Sequence, residues 1–255
     1  MSLEATVKYH FPKGQNFSGT APQTSPDTLT GTDYIAAMGM ALSIAPLGYS
    51  AFMGKVGVSE NDAARAVSLL TDYALQTCDK VPALRKLDTD IKPAVMQTLA
   101  TYAYMDYCRS AASVKPCDCC NAKGFIEADV FSMKSPLSGG VARNVKEVVR
   151  VLCKPCGGKG LVSTACRDCN GRGRAVLRKE TQQQGVPVMG DCKQCSGRGF
   201  ERIASTEAYR AISNITDAIS LATWEKSGKS FYEQLIGKLE IEESWANSAL
   251  NKVTA

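Results

Sequence analysis

Apolar residues recur every three or four positions over several stretches of the chain, which is the spacing of one face of an α-helix. The clearest stretch follows Ser59, where Asp62 lies three residues further on in a pattern typical of a helix N-cap. In another stretch Pro93 falls in the first turn, where proline is tolerated. The spacing predicts helices over residues 34–43, 59–78, 91–112, 205–215 and 230–251. We therefore expect a mainly α-helical body.

The first 30 residues are rich in Pro, Gly, Ser and Thr, and we expect them to be extended or flexible. No apolar run approaches the roughly 20 residues of a membrane span. The first 13 residues also lack the apolar core of a secretion signal. We therefore expect a protein of the reducing cytoplasm, in which thiols stay free for metal rather than forming disulfides.

The helical pattern is interrupted by a short motif, Cys-x-x-Cys followed by glycines, which occurs four times and takes eight of the 11 cysteines. Each pair can place two thiolates on one turn, about 2.3 Å from a shared zinc ion, and two pairs complete a tetrahedral site. A closed four-thiolate shell leaves no position for substrate, so the sequence predicts two structural Zn²⁺ ions. The expected ligands are Cys117, Cys120, Cys153, Cys156, Cys166, Cys169, Cys192 and Cys195.

The repeated motif resembles the zinc region of DnaJ-type co-chaperones, in which the first motif pairs with the fourth and the second with the third. That resemblance implies an outer site of Cys117, Cys120, Cys192 and Cys195, and an inner site of Cys153, Cys156, Cys166 and Cys169. We call each Cys-x-x-Cys turn with its glycines a knuckle. Ala122 replaces the expected glycine of the first knuckle, which is therefore either strained or differently shaped. Cys119 is a substitute ligand or a spare thiol.

The charge is concentrated near the cysteines. The whole chain carries +5, whereas residues 143–202 hold 13 Lys or Arg against 5 Asp or Glu. Arg167, Arg172 and Arg174 lie on or beside the knuckles, where they form either a solvated face or an edge facing RNA or polymerase. His10 is the only histidine, which excludes Ser-His and Cys-His nucleophiles. No phosphate-binding glycine loop or nucleophile elbow occurs, so we expect no enzyme.

The helices on either side of the cysteine region are predicted to form one helix-turn-helix, with the whole region inserted in its turn. The N-terminal part of a recognition helix contacts DNA. The expected DNA contacts are therefore Arg109, Ser205, Thr206, Tyr209 and Arg210. A helix over residues 221–238 is the alternative recognition helix, with Thr223, Lys226 and Lys229, and ordinary packing helices with exposed cations are a third possibility. The outer zinc would hold the two ends of the insertion together.

Several segments resemble the late-gene antitermination protein Q family of lambdoid phages: residues 29–33, 36–41, 99–112, 208–211 and 242–244. The resemblance implies binding to double-stranded promoter DNA in the bacterial host cytoplasm, with room for two copies on the DNA. It implies engagement of a paused RNA polymerase at its sigma factor and at the flap near the RNA exit, next to nascent RNA, and read-through of terminators. It also implies one zinc site matching Cys117, Cys120, Cys192 and Cys195, with Cys153–Cys169 as an extra segment.

These expectations divide the chain into a flexible segment 1–30, a helical domain 31–115, a zinc-binding insertion 116–200 with short β-hairpins, and the recognition and C-terminal helices 201–255. A DnaJ-like chaperone or interaction module is the alternative function, although its J-domain would need His-Pro-Asp and His10 is followed by Phe11. A disulfide oxidoreductase would use one Cys-x-x-Cys, but the trailing glycines and paired copies favour metal.

Overall fold

The computed structural model describes residues 3–4, 31–134 and 143–254. Two compact units are present. The helical unit comprises the described residues up to Cys108 and those from Ile203 onwards, and the cysteine unit comprises Arg109–Arg202. The predicted flexible segment 1–30, apart from Leu3 and Glu4, and with it His10, lies outside the described residues.

The helical unit is built from helices that largely follow the apolar spacing of the sequence. Ser59 caps the helix after it, because its Oγ accepts a hydrogen bond from the Asp62 N–H at 3.3 Å. A 3₁₀ turn over Cys78–Lys80 and a π-helical turn over Trp224–Gly228 extend two of the helices. The α-helices are α1 (Gly31–Ile44), α2 (Pro46–Val56), α3 (Glu60–Thr77), α4 (Pro82–Arg85), α5 (Lys92–Tyr107), α7 (Ser205–Ser213), α8 (Leu221–Thr223) and α9 (Lys229–Val253), with α6 in the cysteine unit.

The structure departs from the predicted helices at one boundary and in one additional helix. The helix expected over residues 91–112 ends at Tyr107, because Ser110 and Ser113 form a hydrogen-bonded turn that leads into a strand. Helix α2 was not expected at all. Its sequence contains Pro46 and Gly48, which normally break helices, but Pro46 occupies the first turn, where its missing N–H costs nothing.

Helices from both ends of the chain share one core in the helical unit. Leu99 and Ala103 of α5 are buried together with Ala208 and Ile212 of α7, so these two helices pack against each other although about 100 residues separate them in sequence. Trp245 of the last helix is 52% exposed and is not part of this core. The core that joins the helices is completed by Leu70, Trp224, Phe231, Leu235 and Leu239.

The described residues of the cysteine unit form three antiparallel two-stranded sheets. Strand β1 (Val114–Pro116) pairs with β4 (Leu161–Ser163), and β5 (Arg174–Val176) pairs with β6 (Met189–Asp191). In sequence between β1 and β4, β2 (Phe125–Lys134) and β3 (Arg143–Leu152) form a hairpin of ten residues on each strand, longer than the short hairpins expected. Helix α6 (Arg178–Gln184) lies between β5 and β6 in sequence.

Across the described part of the chain, no helix combines the length and the apolar character needed to cross a membrane.

Candidate functional site

The eight predicted cysteine ligands form two buried clusters, each of which could hold a metal ion. The first cluster consists of Cys117, Cys120, Cys153 and Cys156. Its Sγ atoms face one another in pairs, Cys117 with Cys153 at 3.8 Å and Cys120 with Cys156 at 3.7 Å. The two knuckles therefore meet as similar halves of one site.

The second cluster repeats this geometry with Cys166, Cys169, Cys192 and Cys195. The Sγ atoms of Cys166 and Cys192 are 3.8 Å apart, and those of Cys169 and Cys195 are 3.7 Å apart. All eight cysteines are at most 6% exposed. Exposed Cys119 belongs to neither cluster.

The nested pairing of the knuckles is therefore wrong, because consecutive motifs pair with each other. The hairpins give the physical reason. Pairing of Phe125 with Leu152 brings the end of the first knuckle beside the start of the second, and the Cys153 N–H donates to Gly124 O at 2.9 Å. Pairing of Arg174 with Asp191 does the same for the other two knuckles. Each hairpin thus closes its own cluster.

The last glycine of each motif lies where a side chain cannot fit. A Cβ on Gly160 would lie 2.2 Å from the carbonyl oxygen of Ala122, and one on Gly173 would lie 2.2 Å from that of Gly197. Ala122 itself has φ +62°, close to the +82° of the equivalent Gly197. The first knuckle therefore keeps the common shape, and its alanine is held in the left-handed region that L-residues avoid.

Replacement of Ala122 by glycine is expected to stabilise the metal-loaded protein by about 1 kcal/mol, because the left-handed backbone no longer carries a Cβ. The reverse change at the equivalent position, Gly197→Ala, serves as the matched control and is expected to destabilise by about the same amount. Guanidinium unfolding of both variants measures the difference. Equal stability of Ala122→Gly and the parent would show that the alanine is not strained.

Backbone N–H groups point at the sulfurs and favour their thiolate forms. The Gly124 N–H donates to Cys120 Sγ at 3.2 Å, and the Gly173 N–H donates to Cys169 Sγ at 3.3 Å. Burial opposes ionisation of Cys156, but N–H donors and neighbouring thiols outweigh it and lower its pKa to about 7. Burial raises the pKa of Cys153 in the same cluster. A divalent metal entering this cluster therefore displaces protons.

Thr164 holds the ends of the cysteine unit together, a role that the sequence did not reveal. Its buried side chain donates to the carbonyl oxygens of Ser110 at 3.0 Å and Ser113 at 2.9 Å. Its own carbonyl accepts from the Glu201 N–H at 2.8 Å, and Glu201 O accepts from Arg109 at 3.3 Å. Residues near the two ends of the unit are thus joined by hydrogen bonds and not by an outer metal site.

The predicted DNA contacts of the first recognition helix lie at the start of α7. Thr206 and Arg210 are exposed, whereas Ser205 and Tyr209 are half-buried. The Tyr209 ring packs on the Trp224 ring with 6.0 Å between centroids. Ala204 occupies the N-cap position and makes no side-chain cap, so Ser205 lies inside the helix and does not cap it. Predicted contact Arg109 is half-buried and bound to Glu201 O.

The alternative recognition helix is also formed, as the continuous stretch α8, the π-helical turn and α9. Ser220 caps it by accepting from the Thr223 N–H at 3.3 Å. Lys226 and Lys229 are exposed, and Lys229 Nζ lies 4.0 Å from Glu233 Oε1. In the cysteine unit the three predicted basic residues, Arg167, Arg172 and Arg174, are all exposed.

The model of the antitermination protein Q family matches residues 23–111 and 160–247 of this chain. The unmatched residues 112–159 contain the first cysteine cluster, so the expectation that Cys153–Cys169 would be the extra segment is wrong.

Curated relatives cover essentially the whole chain. The prophage antitermination protein Q homolog QuuQ of Escherichia coli K12 is 37% identical over 254 residues, with 100% of both chains covered. The antitermination protein Q of Salmonella phage P22 and that of Escherichia phage lambda are each 34% identical over 254 residues, again with 100% of both chains covered. The chain therefore belongs to the antitermination protein Q family and functions in transcription antitermination.

Proposed function

We propose that this protein is a sequence-specific DNA-binding antitermination factor, which joins RNA polymerase paused near a phage late promoter and lets it read through terminators. The observation that carries the proposal is the family match over residues 23–111 and 160–247, which include the helices α5 and α7 that pack in one core. In this proposal the protein is a transcription regulator that acts in the cytoplasm of the bacterial host, and not an enzyme.

Both clusters are proposed to hold structural Zn²⁺. A tetrahedral zinc site with Zn–S distances of about 2.3 Å has sulfurs about 3.8 Å apart. The observed separations of 3.7–3.8 Å fit this geometry. An all-thiolate set selects zinc or an iron–sulfur cluster among the common metals, and four sulfurs this close around one centre suit a single ion. When bound, zinc would fix each pair of knuckles without taking part in a reaction.

The DNA-reading element is proposed to be a helix-turn-helix formed by α5 and α7, with the cysteine unit inserted between them. Packing of the two helices in one core supports it. Asp106 near the end of α5 also accepts a hydrogen bond from the Ile203 N–H, two residues before α7. Thr206 and Arg210 would then face the DNA. The helix that begins at α8, with Lys226 and Lys229, is the alternative reader.

The substitution Arg210→Ala is expected to weaken promoter binding by about 1–3 kcal/mol if the Arg210 guanidinium contacts a base. Fluorescence anisotropy with a labelled promoter fragment at fixed salt measures the change. The double change Lys226→Ala and Lys229→Ala tests the alternative helix, and Lys252→Ala at the far end of α9 is the control for loss of an exposed cation. If Arg210→Ala kept the parent promoter affinity and the double lysine variant lost affinity, the helix starting at α8 would be the DNA-recognition helix.

The basic residues Arg167, Arg172 and Arg174 are proposed to face nascent RNA and the polymerase near the RNA exit, where the protein would block terminator hairpins. The sigma factor and the flap are the proposed polymerase contacts. All three arginines are exposed and lie on or beside the knuckles of the second cysteine cluster, which supports this placement.

In vitro transcription on a template with a pause and a downstream terminator tests the proposed function. The parent protein is expected to raise read-through, whereas changing the three arginines to Glu should lower read-through and leave promoter binding intact. No effect of the parent protein on termination would contradict the proposed function.

A further inference from the structure

We propose that one face of the β2–β3 hairpin is an additional docking surface for RNA polymerase, where it contacts an apolar strip of the polymerase protein surface. The inference rests on the proposed function, because it requires that the protein joins the polymerase. It adds a contact outside the two stretches matched by the family.

The most exposed large apolar side chains of the hairpin lie on one face, among the charged side chains of that face, whereas the exposed valines of the opposite face reach at most 41%. Side chains alternate between the two faces of a strand pair, and the pairing places Phe131, Met133 and Val148 on the same face. These side chains are 71%, 77% and 66% exposed, respectively. We call this surface the outer face; Phe125 and Leu152 lie at its base and are 40% and 62% exposed.

The opposite face attaches the hairpin to the first cysteine cluster. Ile126 lies on that face and packs against the buried cysteines. An isolated two-stranded hairpin is marginally stable in water, so this attachment and the cross-strand contacts hold it. The exposed apolar side chains of the outer face add little to that stability. Phe131, Met133 and Val148 are neighbours on this face, and a group of large apolar side chains exposed together is often functional.

The charges on the hairpin favour a protein partner over nucleic acid. Lys134 forms an ion pair with Glu147, and Lys146 lies 2.6 Å from Asp129. Arg150 lies over the Phe125 ring, 5.4 Å from its centroid. These cations already have partners within the hairpin. A phosphate backbone would find few free charges there, whereas an apolar protein strip would cover Phe131 and Met133.

The size of the outer face argues against a second copy of this chain as the occupant. Ten residues at about 3.3 Å each and a width of about 10 Å give a face of roughly 330 Å². A stable complex buries about 800 Å² on each partner. The hairpin is therefore too small to hold a dimer alone but suits a second contact to a partner that is already bound elsewhere, since linked contacts reinforce each other.

The test replaces Phe131, Met133 and Val148 by Thr, which keeps strand propensity and removes large apolar surface. Binding of the full-length protein to purified RNA polymerase is measured by biolayer interferometry, and promoter-DNA binding and metal content are measured alongside. We expect at least tenfold weaker polymerase binding, with unchanged DNA binding and metal content. The matched control, Val114→Thr with Leu161→Thr, removes exposed apolar side chains from β1 and β4 and should bind like the parent.

Unchanged polymerase affinity of the triple variant would overturn the docking proposal and leave the proposed function standing. Equally weakened polymerase binding of the control variant would also overturn it. So would a change from dimer to monomer, or a loss of nucleic-acid binding, in the triple variant. Failure of the parent protein to bind polymerase would overturn the proposed function as well.

Hydrogen exchange of the parent protein provides a second test that does not depend on the folding of a variant. Polymerase should slow exchange of amides in residues 125–134 and 143–152. Unchanged exchange there, with protection elsewhere in the chain, would overturn the proposal.

Discussion

Changing Cys166 and Cys169 to Ser is expected to leave the protein with one zinc ion in place of two. It should also unfold the second cysteine cluster together with the β5–β6 strand pair. Metal binding to a structural four-thiolate site is worth about 10–16 kcal/mol, which equals or exceeds the typical stability of a whole domain, about 5–15 kcal/mol. The pair lies in the part of the cysteine unit that the family model matches. We therefore expect read-through to be lost as well.

Zinc per chain, measured after denaturation with a chromogenic chelator, together with circular dichroism on heating, checks this result. Cys119→Ser is the matched control, because this exposed cysteine lies outside both clusters and its loss should leave two zinc ions. A Cys166→Ser, Cys169→Ser protein that retained two zinc ions and the parent melting curve would contradict the role given to this cluster.

Gly48→Ala is expected to destabilise the helical unit by about 3 kcal/mol, at the upper end of overpacking effects. Gly48 allows α2 to lie directly on the backbone of α9, and a Cβ there would be 1.9 Å from the carbonyl oxygen of Glu242. Backbone cannot move aside as a flexible side chain can. The change would also disturb neighbouring Glu243, which accepts a hydrogen bond from Tyr107 at 2.5 Å.

The control for Gly48→Ala is Gly237→Ala, also within a helix. Apart from the neighbouring backbone of α9 itself, no atom of the described residues lies within 4 Å of the Cβ position at Gly237. Alanine there should therefore stabilise α9 by about 0.5–1 kcal/mol through its better helix propensity. Urea unfolding of both variants provides the comparison. Destabilisation of similar size in both would show that close helix contact at Gly48 is not the cause.

The chemistry of the cysteines could be predicted from sequence because it is local. Two thiols three residues apart and the glycines after them lie within one turn, and the structure confirms that all eight cysteines gather in four-membered clusters. Their pairing could not be taken from the motif, since it depends on the strands that bring distant knuckles together. The valine-rich stretch 143–152, together with the partial alternation of apolar and polar residues over 125–134, was the signal for the long hairpin.

The helical unit shows the same division between local and long-range information. The cap at Ser59 and the helix after it follow from neighbouring residues and were predicted. Helix α2 was missed because Gly48 is required by contact with Glu242, which no local pattern reveals. The hydrogen bonds of Thr164 were missed for the same reason, since a lone threonine has no sequence signature.

The central claim is that consecutive knuckles close two separate metal sites, and two quadruple variants test it most directly through their zinc content. In the first, Ser replaces Cys117, Cys120, Cys153 and Cys156. In the second, Ser replaces Cys117, Cys120, Cys192 and Cys195. Consecutive pairing predicts one zinc ion per chain in the first variant and none in the second. None in the first and one in the second would contradict the account and restore the nested arrangement.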